Sequence, residues 1–198
     1  LLNWFKNISM VRPHLQARMP SFDYTDEEWN TVISYFQSKD DLPLAYENPH
    51  DFVKNSSSYK AGERIAEMGA CNNCHFYGEE KPKQAALTWA PNLVLTKERL
   101  RPEWLVEWFT NPQDIMPGTK MPAPYIPTEE PVNSIVEVWG KDVARISTDS
   151  TKLYKALNDW MWGMDGPKDV STIVRRHIET NGYGFIIEEE DDWGDDWD

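Results

Sequence analysis

The chain has two cysteines, Cys71 and Cys74, and a histidine follows them directly in the run Cys71-Asn72-Asn73-Cys74-His75. Whatever the fold, these side chains must end up in one place. A disulfide framework for a secreted fold needs more cysteines at wider spacings, so this pair acts as a unit. A structural zinc site takes about four ligands. It would have to recruit from His14, His50 and His177, none of which stands at a supporting spacing. A dithiol redox pair belongs in a βαβ setting, whereas the flanks here read as helical and proline-rich.

The remaining chemistry is covalent haem attachment. Two thiols at this spacing can bond to the two vinyl groups of one haem, and the next residue then lies beneath the macrocycle, where its imidazole can bind iron. The surrounding residues resemble the class I cytochrome c family over about residues 59 to 140, with the motifs in the family's order. Residues 59–70, YKAGERIAEMGA, look like the helix leading into the attachment site. Ala90-Pro91-Asn92-Leu93 is similar to the segment whose proline carbonyl takes the N–H of the iron-binding histidine, which fixes the imidazole and tunes the metal. Ile115-Met116-Pro117-Gly118-Thr119-Lys120-Met121-Pro122 looks like the proline-glycine loop that presents a methionine sulfur to the other face of the iron.

The resemblance implies a haem c held by Cys71 and Cys74. His75 and Met121 would be its axial ligands, with Pro91 and Asn92 in the cofactor-binding segment. Met121 occupies the family's position three residues after Gly118, whereas Met116 precedes the turn and reads as packing. A His/Met pair suits electron transfer, since the thioether favours the ferrous state and the filled axial positions leave no site for substrate. In the family the first and last helices cross at a glycine-aromatic contact, for which Gly62 and Trp139 are the candidates.

Local signals place helices around this site. Pro102 fits a first-turn position, where its missing N–H is no loss, and Leu105, Trp108 and Phe109 then share one face. A later helix reads as capped by Thr128, with Glu129, Glu130 and Pro131 in its first turn and Val132, Ile135, Val136 and Trp139 on its apolar face. Asp149 is a cap for a helix carrying Leu153, Leu157, Trp160 and Met161. Pro167 opens another, with Val170, Ile173, Val174 and His177 at helical spacing, and Asn181-Gly182 stops it. Core packing is the expectation for Trp89, and a helix-surface or partner-contact role for His177.

Residues 2–36 repeat residues 106–139. Asn3-Trp4-Phe5-Lys6-Asn7 matches Glu107-Trp108-Phe109-Thr110-Asn111, and Val11, Pro13, Met19 and Pro20 answer Ile115, Pro117, Met121 and Pro122. Thr25-Asp26-Glu27-Glu28 answers Thr128-Glu129-Glu130. The first copy is two residues longer between its proline and methionine, has His14 where the second has Gly118, and has no Cys-x-x-Cys-His before it. Three explanations are open: an attachment site upstream, another chain supplying that half, or a unit that has lost its haem. The hypothesis that follows is a diheme architecture with Met19 as a candidate ligand of a second haem. The chain starts Leu1-Leu2-Asn3-Trp4 with neither initiator Met nor secretory signal pattern. The expectation is that a leader was removed or that this is part of something larger.

The expected organisation is all-α: residues 1–40 as the C-terminal half of a cytochrome c-like unit, 41–58 as a polar linker with a solvated His50, 59–146 as the haem c domain, and 147–198 as a helical extension with an acidic tail. Ten Trp and 40% hydrophobic residues are enough for a core, and no stretch approaches the roughly 20 apolar residues of a membrane span. The net charge is −13, and residues 188–198 hold eight acids whose removal would leave −5. Such a body has no basic stripe for nucleic acid. The tail, with Trp193 and Trp197, reads either as a tether to a basic partner or as a solvated end.

These features point to an electron carrier rather than an enzyme: a subunit or domain of a larger, membrane-associated respiratory complex with redox protein partners. The resemblance implies a periplasmic or equivalent extracytoplasmic location. Two alternatives stand beside it, a haem enzyme with a displaceable distal ligand and a structural subunit that works through its C-terminal extension.

Overall fold

The computed structural model describes residues 2–6, 8, 13, 20–40, 50–128 and 130–184. These are helical, as expected, and their extended pairing is confined to two isolated bridges, His75 with Ala90 and Tyr77 with Glu80. The helices are α1 (Leu2–Lys6), α2 (Asp26–Asp40), α3 (Ser57–Met68), α4 (Thr96–Arg99), α5 (Pro102–Thr110), α6 (Pro112–Ile115), α7 (Val132–Trp139), α8 (Lys141–Ala144), α9 (Ser150–Trp162) and α10 (Ser171–Asn181). None is long and apolar enough to cross a membrane.

Two helices organise the main core. The Ser56 side chain caps α3 by accepting the Tyr59 N–H at 3.1 Å, which satisfies one of the donors a helix start leaves open. Asp149 caps α9 in the expected way, accepting from the Lys152 N–H at 3.2 Å. On α3 the buried residues Tyr59, Gly62, Ile65 and Ala66 form one face, and α9 buries Leu153, Ala156, Leu157, Trp160 and Met161. The helices cross at Gly62. A Cβ there would stand 1.9 Å from the Ala156 carbonyl oxygen and 2.9 Å from the Trp160 Cβ. Leu105 and Phe109 of α5, Ile135 and Trp139 of α7 and Val143 of α8 complete the cluster.

This arrangement corrects three expectations. The helix that meets Gly62 is α9, with Ala156 and Trp160 at the contact; Trp139 lies in the same core with its ring 5.8 Å from that of Tyr125. A boundary at residue 146 would therefore cut through one apolar cluster, because α9 is part of the unit that α3 begins. His50 is also not solvated. Its side chain is 7% exposed, and its Nε2 lies 2.8 Å from Asp159 Oδ1. The Ser58 hydroxyl donates to the other oxygen of the same carboxylate. Burial opposes charge on Asp159, but the bonds from His50 and Ser58 outweigh it and hold the carboxyl below its ordinary value.

Smaller departures concern helix ends. α7 starts at Val132 with Pro131 at its boundary, and Thr128 stands in the preceding turn. Ile135 and Trp139 are buried as expected, whereas Val132 and Val136 face solvent. α10 starts at Ser171, after Pro167.

At the start of α2, Thr25 and Glu28 cap the helix reciprocally. The Thr25 N–H donates to the Glu28 carboxylate at 2.8 Å, and the Glu28 N–H donates to the Thr25 hydroxyl at 3.3 Å. This is a capping box. Phe5 of α1 stacks on buried Trp29 of α2 at 4.6 Å. Met19, His14, linker residues 41–49 and the acidic tail lie outside the described residues.

Gly62→Ala should lower stability by roughly 2–3 kcal/mol, since the crossing has no room for a methyl group and overpacked cores respond on that scale; urea unfolding would measure it. Asp159→Asn should also be less stable than the wild type at neutral pH. A carboxyl held below its ordinary value stabilises the fold above about pH 4 and loses that contribution as pH falls through its folded value. The two unfolding midpoints should therefore converge as the solution is acidified.

Candidate functional site

The C-terminal end of α3 is built to deliver Cys71. The Gly69 N–H donates to Ile65 O at 2.8 Å, and Ala70 then takes a left-handed conformation with φ of 50°. That conformation is unfavourable for a residue with a Cβ, by roughly 1–2 kcal/mol, and it turns the chain abruptly. Cys71–Asn73 follow as a short 3-10 turn, and the His75 N–H closes back on Cys71 O at 2.9 Å. The pentapeptide is thus a compact loop against the core: Cys71 and Tyr77 both pack on the main cluster, and Phe76 is fully buried in a second one.

A facing segment holds the loop in place. The carbonyls of Asn72, Asn73, Cys74 and Phe76 accept from the N–H groups of Lys83, Gln84, Ala90 and Leu93, at 3.1, 3.0, 2.7 and 3.0 Å. This backbone pairing sets Pro91 beside the histidine, and His75 Nδ1 lies 2.8 Å from the Pro91 carbonyl oxygen. A carbonyl can only accept, so Nδ1 carries the proton and the lone pair of the neutral ring is on Nε2. That is the tautomer a metal-binding imidazole requires, with its orientation fixed by the other nitrogen.

Neither cysteine is in a disulfide. Burial pushes the Cys71 thiol up to about 11, so at neutral pH it is a thiol rather than the thiolate that redox exchange needs. The Cys74 Sγ lies 3.6 Å from Gln84 Oε1 as a thiol donor. Among the described residues no three His, Cys, Asp or Glu side chains gather as a metal site. Zinc, which takes about four ligands, therefore finds no set among the described residues.

The methionine loop is equally defined. The Thr119 N–H donates to Met116 O at 3.1 Å, with Pro117 and Gly118 between them and Gly118 at φ of 84°. This is the tight turn in which proline suits the second position and glycine the third. Gln113 braces it, donating to Thr119 O and accepting the Gly118 N–H. Met116 is 49% exposed. Met121 packs on the main core, and its sulfur lies 2.8 Å from the Trp108 indole nitrogen. The Trp108 contact was not legible from helical spacing, although a Trp recurs at the matching position of the repeat, Trp4.

Asn92 is 3% exposed and holds backbone. Its Oδ1 accepts from the N–H groups of Gly78 and Val94 at 3.0 and 3.2 Å, and its Nδ2 donates to Pro167 O at 3.0 Å. Through Asn92 the C-terminal segment reaches the site, and two more contacts reinforce the link. The Leu87 N–H donates to Tyr183 O at 3.0 Å, and Val170 and Val174 bury against Phe76 and Trp89. Trp89 is core, donating its indole N–H to Gln84 O at 2.9 Å, and His177 of α10 lies over it at 4.7 Å between ring centres. The apolar face of α10 is thus turned to the segment behind His75. The helices beyond residue 146, expected as a helical extension, thus pack on the segment that holds His75.

No family model, curated protein or solved structure matches this chain, and what the site does is read from its own side chains. Asn92→Ala should destabilise the full-length protein by about 2–4 kcal/mol, because buried N–H groups lose their acceptor at roughly 1–3 kcal/mol each. Chemical unfolding checks this, and an unchanged midpoint would mean that Asn92 does not carry the backbone contacts.

Proposed function

We propose that this chain carries one covalent haem c on Cys71 and Cys74, with His75 and Met121 as axial ligands, and that it transfers single electrons. The observation that carries the reading is the His75–Pro91 hydrogen bond at 2.8 Å. Within a Cys-x-x-Cys-His loop, it orients the imidazole and leaves the lone pair of the neutral ring on the nitrogen that would face a metal. Cys71 and Cys74 enter as unpaired thiols, the form that adds to a vinyl group. Met121 brings a soft thioether from a braced loop.

When bound, such a group supplies a one-electron ferric/ferrous couple, with His/Met ligation favouring the ferrous side. The residues of this chain do the rest. The two thiols would anchor it, the Pro91 carbonyl sets the histidine, and α3, α5 and α9 supply the apolar cluster on which Cys71 and Met121 pack. With His75 and Met121 both bound to it, the group would have no open position for a substrate. The proposed setting is a subunit or domain of a larger extracytoplasmic redox assembly, with a second haem near Met19 as the extension of that proposal.

A pyridine haemochrome assay with intact mass on the native protein tests this. One covalent haem at residues 71–75, lost in Cys71→Ser/Cys74→Ser, is the expected result. An absence of covalent haem from the wild type would sink the proposal, and two haems in the native protein would support the diheme extension.

A further inference from the structure

α10 lies over the segment behind His75, where Val170 and Val174 meet Phe76 and Trp89. Beside that apolar contact sits a titratable side chain that the proposed centre does not use. The His177 ring lies over Trp89 with 4.7 Å between ring centres, and its Nδ1 is 3.2 Å from Lys81 Nζ and 3.1 Å from Asn181 Nδ2. An ammonium only donates. The Asn181 amide is oriented by its second bond, from Nδ2 to the His177 carbonyl oxygen at 3.1 Å, so it too presents a donor. Two donors converge on Nδ1, which must therefore accept. The ring is neutral in this arrangement, with its proton on Nε2.

A proton on Nδ1 reverses the contact. It removes the lone pair that both donors use and sets an imidazolium beside the Lys81 ammonium. Lys81 is the charged group that acts on the ring. Trp89 and Asn181 are uncharged, and among the described residues no carboxylate pairs with His177. Burial and Lys81 together hold the histidine below its ordinary value, although the face of Trp89 by itself would favour a cation. Lys81 and His177 stand 96 residues apart in the chain, so their bond ties α10 to the loop that precedes Trp89 rather than bracing one helix. The Leu87 N–H, donating to Tyr183 O at 3.0 Å, lies at the same end of α10.

We propose that His177 and Lys81 form a pH-sensitive latch, closed with His177 neutral and opened by its protonation, that holds α10 against Trp89 and the 81–89 segment. The sign follows from linkage. A neutral His177 stabilises the closed form above about pH 6.5, and that contribution is lost as pH falls through the lowered folded value. Opening leaves Trp89 and the Leu87–Tyr183 bond accessible to water. The latch needs no group on Cys71 and Cys74, so it stands apart from the haem reading.

The test follows amide exchange in the full-length protein as purified, with rates corrected for their intrinsic pH dependence. Peptides from 85–90 and 171–183 are compared at about pH 7.5 and about pH 5, on either side of the ordinary histidine value. Wild-type exchange should quicken severalfold at the lower pH in both peptides, with α3 and α9 unchanged. His177→Gln, whose amide oxygen can accept from Lys81 and does not titrate, should keep α10 protected at both. Lys81→Met should exchange faster at neutral pH and lose most of the pH dependence. Equal protection at both pH values in the wild type would overturn the proposal, as would a wild-type pH response in His177→Gln. A loss of protection shared equally by α3 and α9 would also overturn it, since that is unfolding of the whole. If His177→Gln releases α10 at both values, Lys81→Met decides: a wild-type pH response there overturns the latch, and its loss upholds it.

Discussion

At Gly62 the backbone of α3 lies so close to α9 that the missing side chain is itself the contact, since a Cβ would stand 1.9 Å from the Ala156 carbonyl oxygen. Much of the site depends on that approach. α3 ends at Gly69 and Ala70, and the Cys71–His75 loop begins at once, so the position of α3 against α9 sets where the thiols and the imidazole stand. α9 also orders the segment before α3, because Asp159 takes hydrogen bonds from both His50 and Ser58. The same helix reaches the first turn of α5, where Asn158 donates to Pro102 O at 2.7 Å. α5 carries Trp108, and with it the contact to Met121.

The two sides of the candidate centre are held by different means. Behind His75 the support is backbone: four carbonyls of the 72–76 segment pair with N–H groups of the 83–93 segment, and Asn92 ties that segment to Pro167. α10 then closes over it, burying Val170 and Val174 against Phe76 and Trp89. On the Met121 side the support is a single turn, one glutamine and an indole. Backbone pairing is rigid and cooperative, whereas a methionine at the end of a loop keeps its rotamer freedom unless something polar or bulky restricts it. Trp108 is the side chain that reaches the Met121 sulfur, and Asn92 is the one that ties the segment behind His75.

Local chemistry was legible where the answer depends only on neighbours in the chain. Pro102 starts α5, Asp149 caps α9, and Pro117-Gly118 makes the turn before Met121, as their residue types require. The Pro91 contact to His75 belongs with these only through the family resemblance. Thr128 failed as a cap for α7 because Pro131, just before Val132, already sets the helix start. His50 looked solvated because a polar, proline-containing stretch surrounds it, and only the arrival of Asp159, more than a hundred residues away, gives it a buried partner.

By itself the sequence determined the helical class, the pentapeptide with its two thiols and one imidazole, the methionine turn and the twofold recurrence of Trp with Met. Each is a matter of residue type and short-range spacing, and spacing survives without knowledge of the fold. Only the tertiary structure decided which helix meets Gly62, that residues 150–181 belong to the unit that α3 begins, and that Trp108 faces the Met121 sulfur. A glycine permits close approach but does not select its partner. That choice is made by the whole apolar surface of α3 and α9 finding its best fit, a property of the packed core that no window of sequence contains.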